Sequence, residues 1–109
     1  MNRFGKCAGV AAAALVLVLL PSPASAAPHM YTLVIEKMRY GAAPAELHKG
    51  DSILWLNRDF LRHTATAADR SFDVDLPPGA KAKTVMLKSG SITFACRYHP
   101  GMRGVLQVK

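Results

Sequence analysis

Apolar and polar residues alternate with a period of two over much of the chain after residue 30. Tyr31, Leu33 and Ile35, for example, alternate with polar neighbours, as in a half-buried β-strand. Turn-forming glycine, proline and aspartate residues separate the alternating stretches. These stretches are 31–36, 53–57, 72–76, 84–88, 91–97 and 104–109. The pattern predicts an all-β fold, a small Greek-key β-sandwich of about seven to eight strands.

The first 26 residues have a different pattern, which is typical of a secretory signal peptide. Arg3 and Lys6 precede the apolar stretch 8–20, and small, helix-breaking residues follow it. A membrane anchor is the alternative, but the stretch is shorter than the roughly 20 residues that a membrane-spanning helix needs. We therefore predict that residues 1–26 are removed on export to the periplasm, and that residues 27–109 form one domain.

The charge and size of the predicted mature chain narrow the choice of function. The full sequence has a formal net charge of +7. Loss of Arg3 and Lys6 with the signal peptide leaves 12 basic and 7 acidic residues, or +5, which favours an acidic partner. Nucleic acid is not expected, because no basic run is interleaved with aromatic residues. We expect a small monomer that is not an enzyme, since so short a domain has little room for a substrate cleft.

The mature chain keeps a single cysteine, because Cys7 lies in the predicted signal peptide. Exported thiols usually pair or oxidise, so an unpaired one needs an explanation. Cys96 is in phase with the apolar residues Ile92 and Phe94, so its side chain should point into the sandwich. A buried apolar filler and a metal ligand are the two interpretations.

The neighbours of Cys96 favour metal binding. It opens a Cys-x-x-His-x-x-Met motif with His99 and Met102, and His63 opens another predicted strand that can end at the same pole. Two imidazoles, a thiolate and a weak axial thioether suit both Cu(I) and Cu(II). Zinc could use the cysteine and histidines but has little use for a thioether. The cysteine count excludes haem attachment through two cysteines and an iron–sulfur cluster. We predict one copper ion, held by His63, Cys96, His99 and Met102.

Further stretches of the mature chain resemble the cupredoxins, the type 1 (blue) copper proteins, and among them the amicyanin-like members. These stretches are 36–40 (EKMRY), 46–48 (ELH), 49–51 (KGD), 55–59 (WLNRD) and 99–104 (HPGMRG). The short spacing from His99 to Met102 is the discriminating feature. The resemblance implies a cupredoxin fold and the four copper ligands named above. It also implies a soluble protein that carries single electrons between periplasmic redox partners.

The sequence departs from the amicyanin pattern near the proposed ligands. Thr64 stands where that group often has an asparagine that braces the ligand loop, and we expect weaker bracing from a hydroxyl. Tyr98 stands where amicyanin has a proline, so its backbone N–H is expected to donate to the sulfur of Cys96 and raise the reduction potential. Gly101 replaces a bulky apolar residue, so the partner surface should differ in detail.

The resemblance also implies that electrons pass through the exposed ring edge of His99, which lies in an apolar patch in this family. Around it we expect a ring of arginines that steers an acidic redox partner, such as a c-type cytochrome or a dehydrogenase. Ordinary solvated arginines are the alternative. The apolar residues are Phe60, Leu61, Tyr98, Pro100 and Gly101, and the arginines are Arg58, Arg62, Arg97 and Arg103.

Other functions on the same fold remain as alternatives. A periplasmic copper chaperone or copper-storage protein would be expected to carry spare methionines and histidines in a mobile segment, and the sequence has no such cluster. A copper-free binding module would require the four ligand types to coincide by chance. An enzyme is disfavoured because four protein ligands leave no open position for a substrate.

Overall fold

The computed structural model describes residues 27–109 together with Gly5, Gly9 and residues 11–21. The described part of the first 26 residues has no regular secondary structure. Residues 22–26, which include the expected cleavage point, lie outside the described residues, so the signal peptide stays a prediction. Within the described part of the chain, no helix is both long enough and apolar enough to cross a membrane.

The chain folds into two four-stranded sheets. One sheet has the order β2-β1-β3-β6 and the other β5-β4-β7-β8. Strands β1 and β3 pair in parallel, and the other neighbours are antiparallel. The predicted all-β sandwich is confirmed. The strands are β1 (Met30–Glu36), β2 (Arg39–Tyr40), β3 (Ser52–Asn57), β4 (His63–Ala67), β5 (Asp73–Leu76), β6 (Lys81–Val85), β7 (Gly90–Ala95) and β8 (Arg103–Val108).

Alternate strand positions fill the space between the sheets. Leu33 of β1, together with Ile53 and Trp55 of β3, is at most 1% exposed. The ring of Trp55 lies edge-on to Phe94 of β7 in the opposite sheet, with centroids 5.1 Å apart. Full burial of one such side chain is worth about 1.5–3 kcal/mol, so these contacts hold the two sheets in a fixed relation.

The turn between β1 and β2 is tied to a distant loop. Lys37 and Met38 adopt left-handed backbone conformations, with φ of 53° and 61°, which are unfavourable for residues that carry a Cβ. Both backbone N–H groups donate to the carboxylate of Asp59, at 2.7 and 3.0 Å. Charge-assisted hydrogen bonds of this kind help to offset the strain of the turn. The alternating pattern did not predict the short strand β2.

Asn57, the last residue of β3, organises the loop that leads into β4. Its side-chain Nδ2 donates to the carbonyl oxygens of Leu61 and Leu76, both at 2.8 Å. Its Oδ1 accepts from the backbone N–H of Asp59 at 2.9 Å. Asn57 is fully buried, so these bonds are shielded from water. They fix the point at which β4 begins.

The turn between β7 and β8 closes on itself. Ile92, Phe94 and Cys96 share the inward face and are at most 4% exposed, as the alternation predicted. The strand ends at Ala95. The N–H of Cys96 then donates to the carbonyl of Met102, and the N–H of Met102 donates to the carbonyl of His99, at 3.1 and 2.8 Å. The motif residues are therefore confined to one compact loop.

Candidate metal centre

Two separate parts of the second sheet bring the predicted ligands together. His63 is the first residue of β4, and Cys96 directly follows β7, which pairs with β4. The Nδ1 atoms of His63 and His99 lie 3.8 and 3.6 Å from the sulfur of Cys96. All three ligand atoms lie within 4.8 Å of one another. Among the described residues, no other group of histidine, cysteine and acidic side chains converges in this way.

These separations fit a shared first-row metal ion. Nitrogen and sulfur ligands that bind one tetrahedral ion at about 2.0–2.3 Å lie roughly 3.5 Å apart, close to the separations found here. Sulfur and imidazole donors suit copper, and the methionine of the motif adds a soft donor of the kind that stabilises Cu(I). The residues therefore fit the copper ion that the motif predicted.

Met102, the fourth predicted ligand, lies in the same compact loop. Its side chain is buried, with 6% of the residue exposed. The two backbone hydrogen bonds described above place it beside Cys96 and His99. His63 and Cys96 are at most 2% exposed, whereas His99 is half-buried. Of the proposed ligands, His99 is thus the one with access to solvent.

Asp59 determines which nitrogen of His63 can act as a ligand. Its carboxylate lies 2.7 Å from the Nε2 of His63. Burial alone would raise the pKa of Asp59, but hydrogen bonds from the N–H of Met38, from His63 and from the N–H of Lys37 lower it. The ionised carboxylate can only accept, so Nε2 carries the proton and the lone pair of Nδ1 is free to bind a metal ion. Sequence reasoning quoted Asp59 in a motif without assigning it this role.

Thr64 contacts the segment of Cys96 through both its backbone and its side chain. Its N–H points at the sulfur from 3.4 Å, and its hydroxyl accepts the N–H of Arg97 at 2.9 Å. The hydroxyl of Tyr40 donates to the carbonyl of Thr64 at 2.5 Å. Burial, with a smaller effect from the charge of Cys96, raises the pKa of Tyr40 and keeps this donor protonated. The hydroxyl of Thr64 thus links the two ligand-bearing segments.

The fold and this geometry agree with a known family. A family model described as a cupredoxin-like domain matches residues 9–108. The chain belongs to the cupredoxin-like family. A search of the curated proteins found no significant match.

Solved structures similar to this cupredoxin include amicyanins, which confirms the resemblance drawn from the sequence. Amicyanin from Paracoccus versutus has a TM-score of 0.63 and 22% identity, over 73% of this chain and 81% of that chain. A purple cupredoxin from Nitrosopumilus maritimus has a TM-score of 0.64 and 19% identity, over 72% and 99%. An amicyanin mutant in its Cu(I) form has a TM-score of 0.60 and 27% identity, over 76% and 85%.

One expectation about the sulfur of this cupredoxin is wrong. No hydrogen bond joins the N–H of Tyr98 to Cys96 in the described structure, where the backbone donor to the sulfur is instead Thr64. A residue other than proline at position 98 supplies an N–H but does not determine where that N–H points. The higher reduction potential that was expected from Tyr98 therefore has no support.

The residues expected to surround His99 include exposed apolar side chains and partly neutralised arginines. Phe60 is 96% exposed, and Leu61 and Tyr98 are each 51% exposed. Arg62 pairs with Asp75 at 3.2 Å, and Arg97 pairs with Asp73 at 3.5 Å. Neither Arg58 nor Arg103 forms an ion pair with the described acidic residues. The charge available around the apolar patch is therefore smaller than the four arginines imply.

Proposed function

We propose that this cupredoxin is a periplasmic type 1 copper protein that carries single electrons between redox partners. His63, Cys96, His99 and Met102 would hold one copper ion, which supplies a one-electron Cu(I)/Cu(II) couple when bound. The observation that carries the proposal is the convergence of two Nδ1 atoms on a buried cysteine sulfur, within 4.8 Å of one another. The similarity to amicyanins, one of them solved in a Cu(I) form, supports it.

The surroundings of the site support electron transfer over chemistry on a substrate. Asp59 and Asn57 fix His63, and the compact loop fixes His99 and Met102, so the donors need little rearrangement when the charge of the site changes. His63, Cys96 and Met102 are buried, and four protein ligands would leave no open coordination position for a substrate. A chaperone would need to release its copper readily, whereas this enclosed geometry favours slow exchange. We therefore favour a carrier over a chaperone or a storage protein.

The patch around His99 is the proposed docking surface for a partner. Exposed Phe60, Leu61 and Tyr98 form its apolar part, and a small apolar contact with charged surroundings suits brief, weak complexes. Arg58 and Arg103 are the cations proposed to steer an acidic c-type cytochrome or dehydrogenase. Arg58→Ala should slow transfer to such a partner at low salt more than Arg62→Ala, because Asp75 already neutralises Arg62. Equal effects of the two changes would argue against steering by Arg58.

A visible spectrum tests the copper proposal directly. The mature protein, loaded with Cu(II), is expected to show an intense thiolate-to-copper band. Cys96→Ser should abolish this band, and His63→Ala should shift or weaken it, while the circular dichroism of the metal-free protein stays that of a β-sandwich. A colourless wild-type protein, or an intense band that survives Cys96→Ser, would contradict the proposal.

A further inference from the structure

A chain of hydroxyl groups runs away from the proposed copper site across β4 to the edge strand β5. The Oγ1 of Thr64 accepts the N–H of Arg97 at 2.9 Å. It also lies 3.0 Å from the Oγ1 of Thr66, and Thr66 donates to the Oδ1 of Asp73 at 2.8 Å. Two of these residues directly follow proposed ligands, since Thr64 follows His63 and Arg97 follows Cys96.

The acceptor at the far end fixes the direction of every bond in this chain. The ionised carboxylate of Asp73 can only accept, so Thr66 gives its one hydroxyl proton to it. The oxygen of Thr66 is then left to accept, and Thr64 must donate its own proton to Thr66. The lone pairs of Thr64 are thereby available to the N–H of Arg97. Each hydroxyl both accepts and donates, which is the arrangement in which successive bonds polarise one another.

The chain also returns to its starting residue. The side-chain Nη2 of Arg97 lies 3.5 Å from the Oδ1 of Asp73, the same oxygen that accepts from Thr66. The ring therefore runs from the backbone of Arg97 through two threonines and one aspartate to the guanidinium of Arg97. An isolated exposed ion pair contributes little, so the pair alone would do little for the site. Within the ring, the ion pair between Arg97 and Asp73 orients the carboxylate at the end of the hydroxyl chain.

We propose that Thr66 and Asp73 are positioning residues that hold the segments of His63 and Cys96 at the separation which the copper site requires. Neither residue forms a hydrogen bond with a proposed ligand, and both act through the hydroxyl of Thr64. The role of these residues at a copper site rests on the proposed function. The rigid link between Thr64 and Arg97 does not require copper, so it can be measured in the metal-free protein.

The edge strand offers a matched control. Asp75 lies two residues after Asp73 on β5 and has a similar side-chain exposure, 45% against 42%. It lies opposite Thr64 in the pairing of β4 with β5, but its carboxylate pairs with Arg62 at 3.2 Å and forms no hydrogen bond with the hydroxyl of Thr64. Asp75→Ala therefore removes the same charge from the same strand and leaves the chain of hydroxyl groups in place. An effect of Asp73 on the site should not be reproduced by Asp75.

The test is amide hydrogen exchange at the N–H of Arg97, followed by NMR in the metal-free protein. Thr66→Val and Asp73→Ala should each speed this exchange by about tenfold, the equivalent of roughly one hydrogen bond. The double variant should show no further increase, because the two residues belong to one chain. Thr66→Ser, which restores a hydroxyl, and Asp75→Ala should both exchange as the wild type does. The same two disruptive variants, loaded with Cu(I), should lose copper to a chelator faster than the control.

Unchanged exchange at Arg97 in Thr66→Val, or equal acceleration in Asp75→Ala and Asp73→Ala, would overturn the inference. Additive effects in the double variant would overturn it as well, since they would indicate separate contributions. Failure of the proposed function has a different signature. A wild-type protein that stays colourless with Cu(II) but shows the expected exchange pattern would refute the copper proposal and leave the link from Thr66 and Asp73 to Arg97 standing.

Discussion

Replacement of Asn57 by alanine is the perturbation whose effect follows most directly from the structure. The side chain is fully buried and donates two hydrogen bonds of 2.8 Å, to the carbonyls of Leu61 and Leu76. Alanine removes both donors, along with the acceptor of the Asp59 N–H. The loop before His63 and the end of β5 would then lose the side chain that joins them.

The magnitude depends on how much water can reach the groups left behind. A buried polar group without a partner costs about 1–3 kcal/mol. The bond to Leu76 is buried, so its loss should cost about 2 kcal/mol, whereas the partly buried bond to Leu61 should cost about 1 kcal/mol. Together they give a total of about 3 kcal/mol. A domain of this size loses roughly 4–8 °C per kcal/mol, so the melting temperature should fall by about 12–24 °C.

Thermal and urea unfolding of the metal-free protein measure this loss without any contribution from copper. Thr84→Val is the control, because Thr84 is also buried and accepts one hydrogen bond, from the Nε1 of Trp55 at 3.0 Å. It should cost about half as much, since one buried group loses its partner. If Asn57→Ala destabilised the protein no more than Thr84→Val, the bonds from Asn57 would not be what holds the loop, and the reasoning would fail.

Three further predictions concern single residues. Asp59→Ala should weaken copper binding by about 10–100-fold in a chelator competition, with Asp59→Asn intermediate, because outer partners orient metal-binding histidines. Gly104→Ala should cost about 1–3 kcal/mol in urea unfolding, since a Cβ there would clash with the ring of Phe94. Gly101→Ala is the control and should cost nothing measurable, because the space around Gly101 is open. Hydrogen bonds from backbone N–H groups lower the pKa of Asp51, although its burial acts in the opposite direction. The Asp51 carboxylate therefore stabilises the folded state above about pH 3.9, and this contribution is lost as the pH falls below that value. Asp51→Asn should flatten the acid limb of a stability–pH curve, and an unchanged limb would contradict this.

The sequence was sufficient to predict most strands and the direction of Cys96, because an alternation with period two reports which side of a strand is buried. Cys96 lies in phase with Ile92 and Phe94, and all three are inward and at most 4% exposed. The two-residue strand β2 escaped notice since Arg39 and Tyr40 are too few to show a period. It forms because the turn at Lys37 and Met38 finds its acceptor in Asp59, some twenty residues away.

The surroundings of the site were harder to predict than its donors. Ligand types can be read from residue identity and spacing, whereas a hydrogen bond across the sandwich depends on which strands become neighbours. The role of Asp59 could have been suspected from its position four residues before His63, where a carboxylate in a tight loop can reach back to the ring. Tyr98 shows the opposite case, in which a free N–H was inferred correctly and its partner wrongly. At position 64 the hydroxyl both accepts and donates, and the weaker bracing that we expected from it stays a prediction.

Different residues position the different proposed ligands, so substitutions at these residues should affect the site in different ways. Asp59 and Asn57 set the ring of His63, whereas Thr66 and Asp73 act on the distance between Thr64 and Arg97. The two sets meet through the backbone on either side of His63 and through β5, which carries both Asp73 and the Leu76 carbonyl that accepts from Asn57. Substitution of Asp59 or Asn57 should therefore alter how well the imidazole of His63 binds the metal. Substitution of Thr66 or Asp73 should instead alter the spacing between ligands that are themselves unchanged. A site built in this way can change its affinity for copper and its geometry by substitutions at different places, without replacing any ligand.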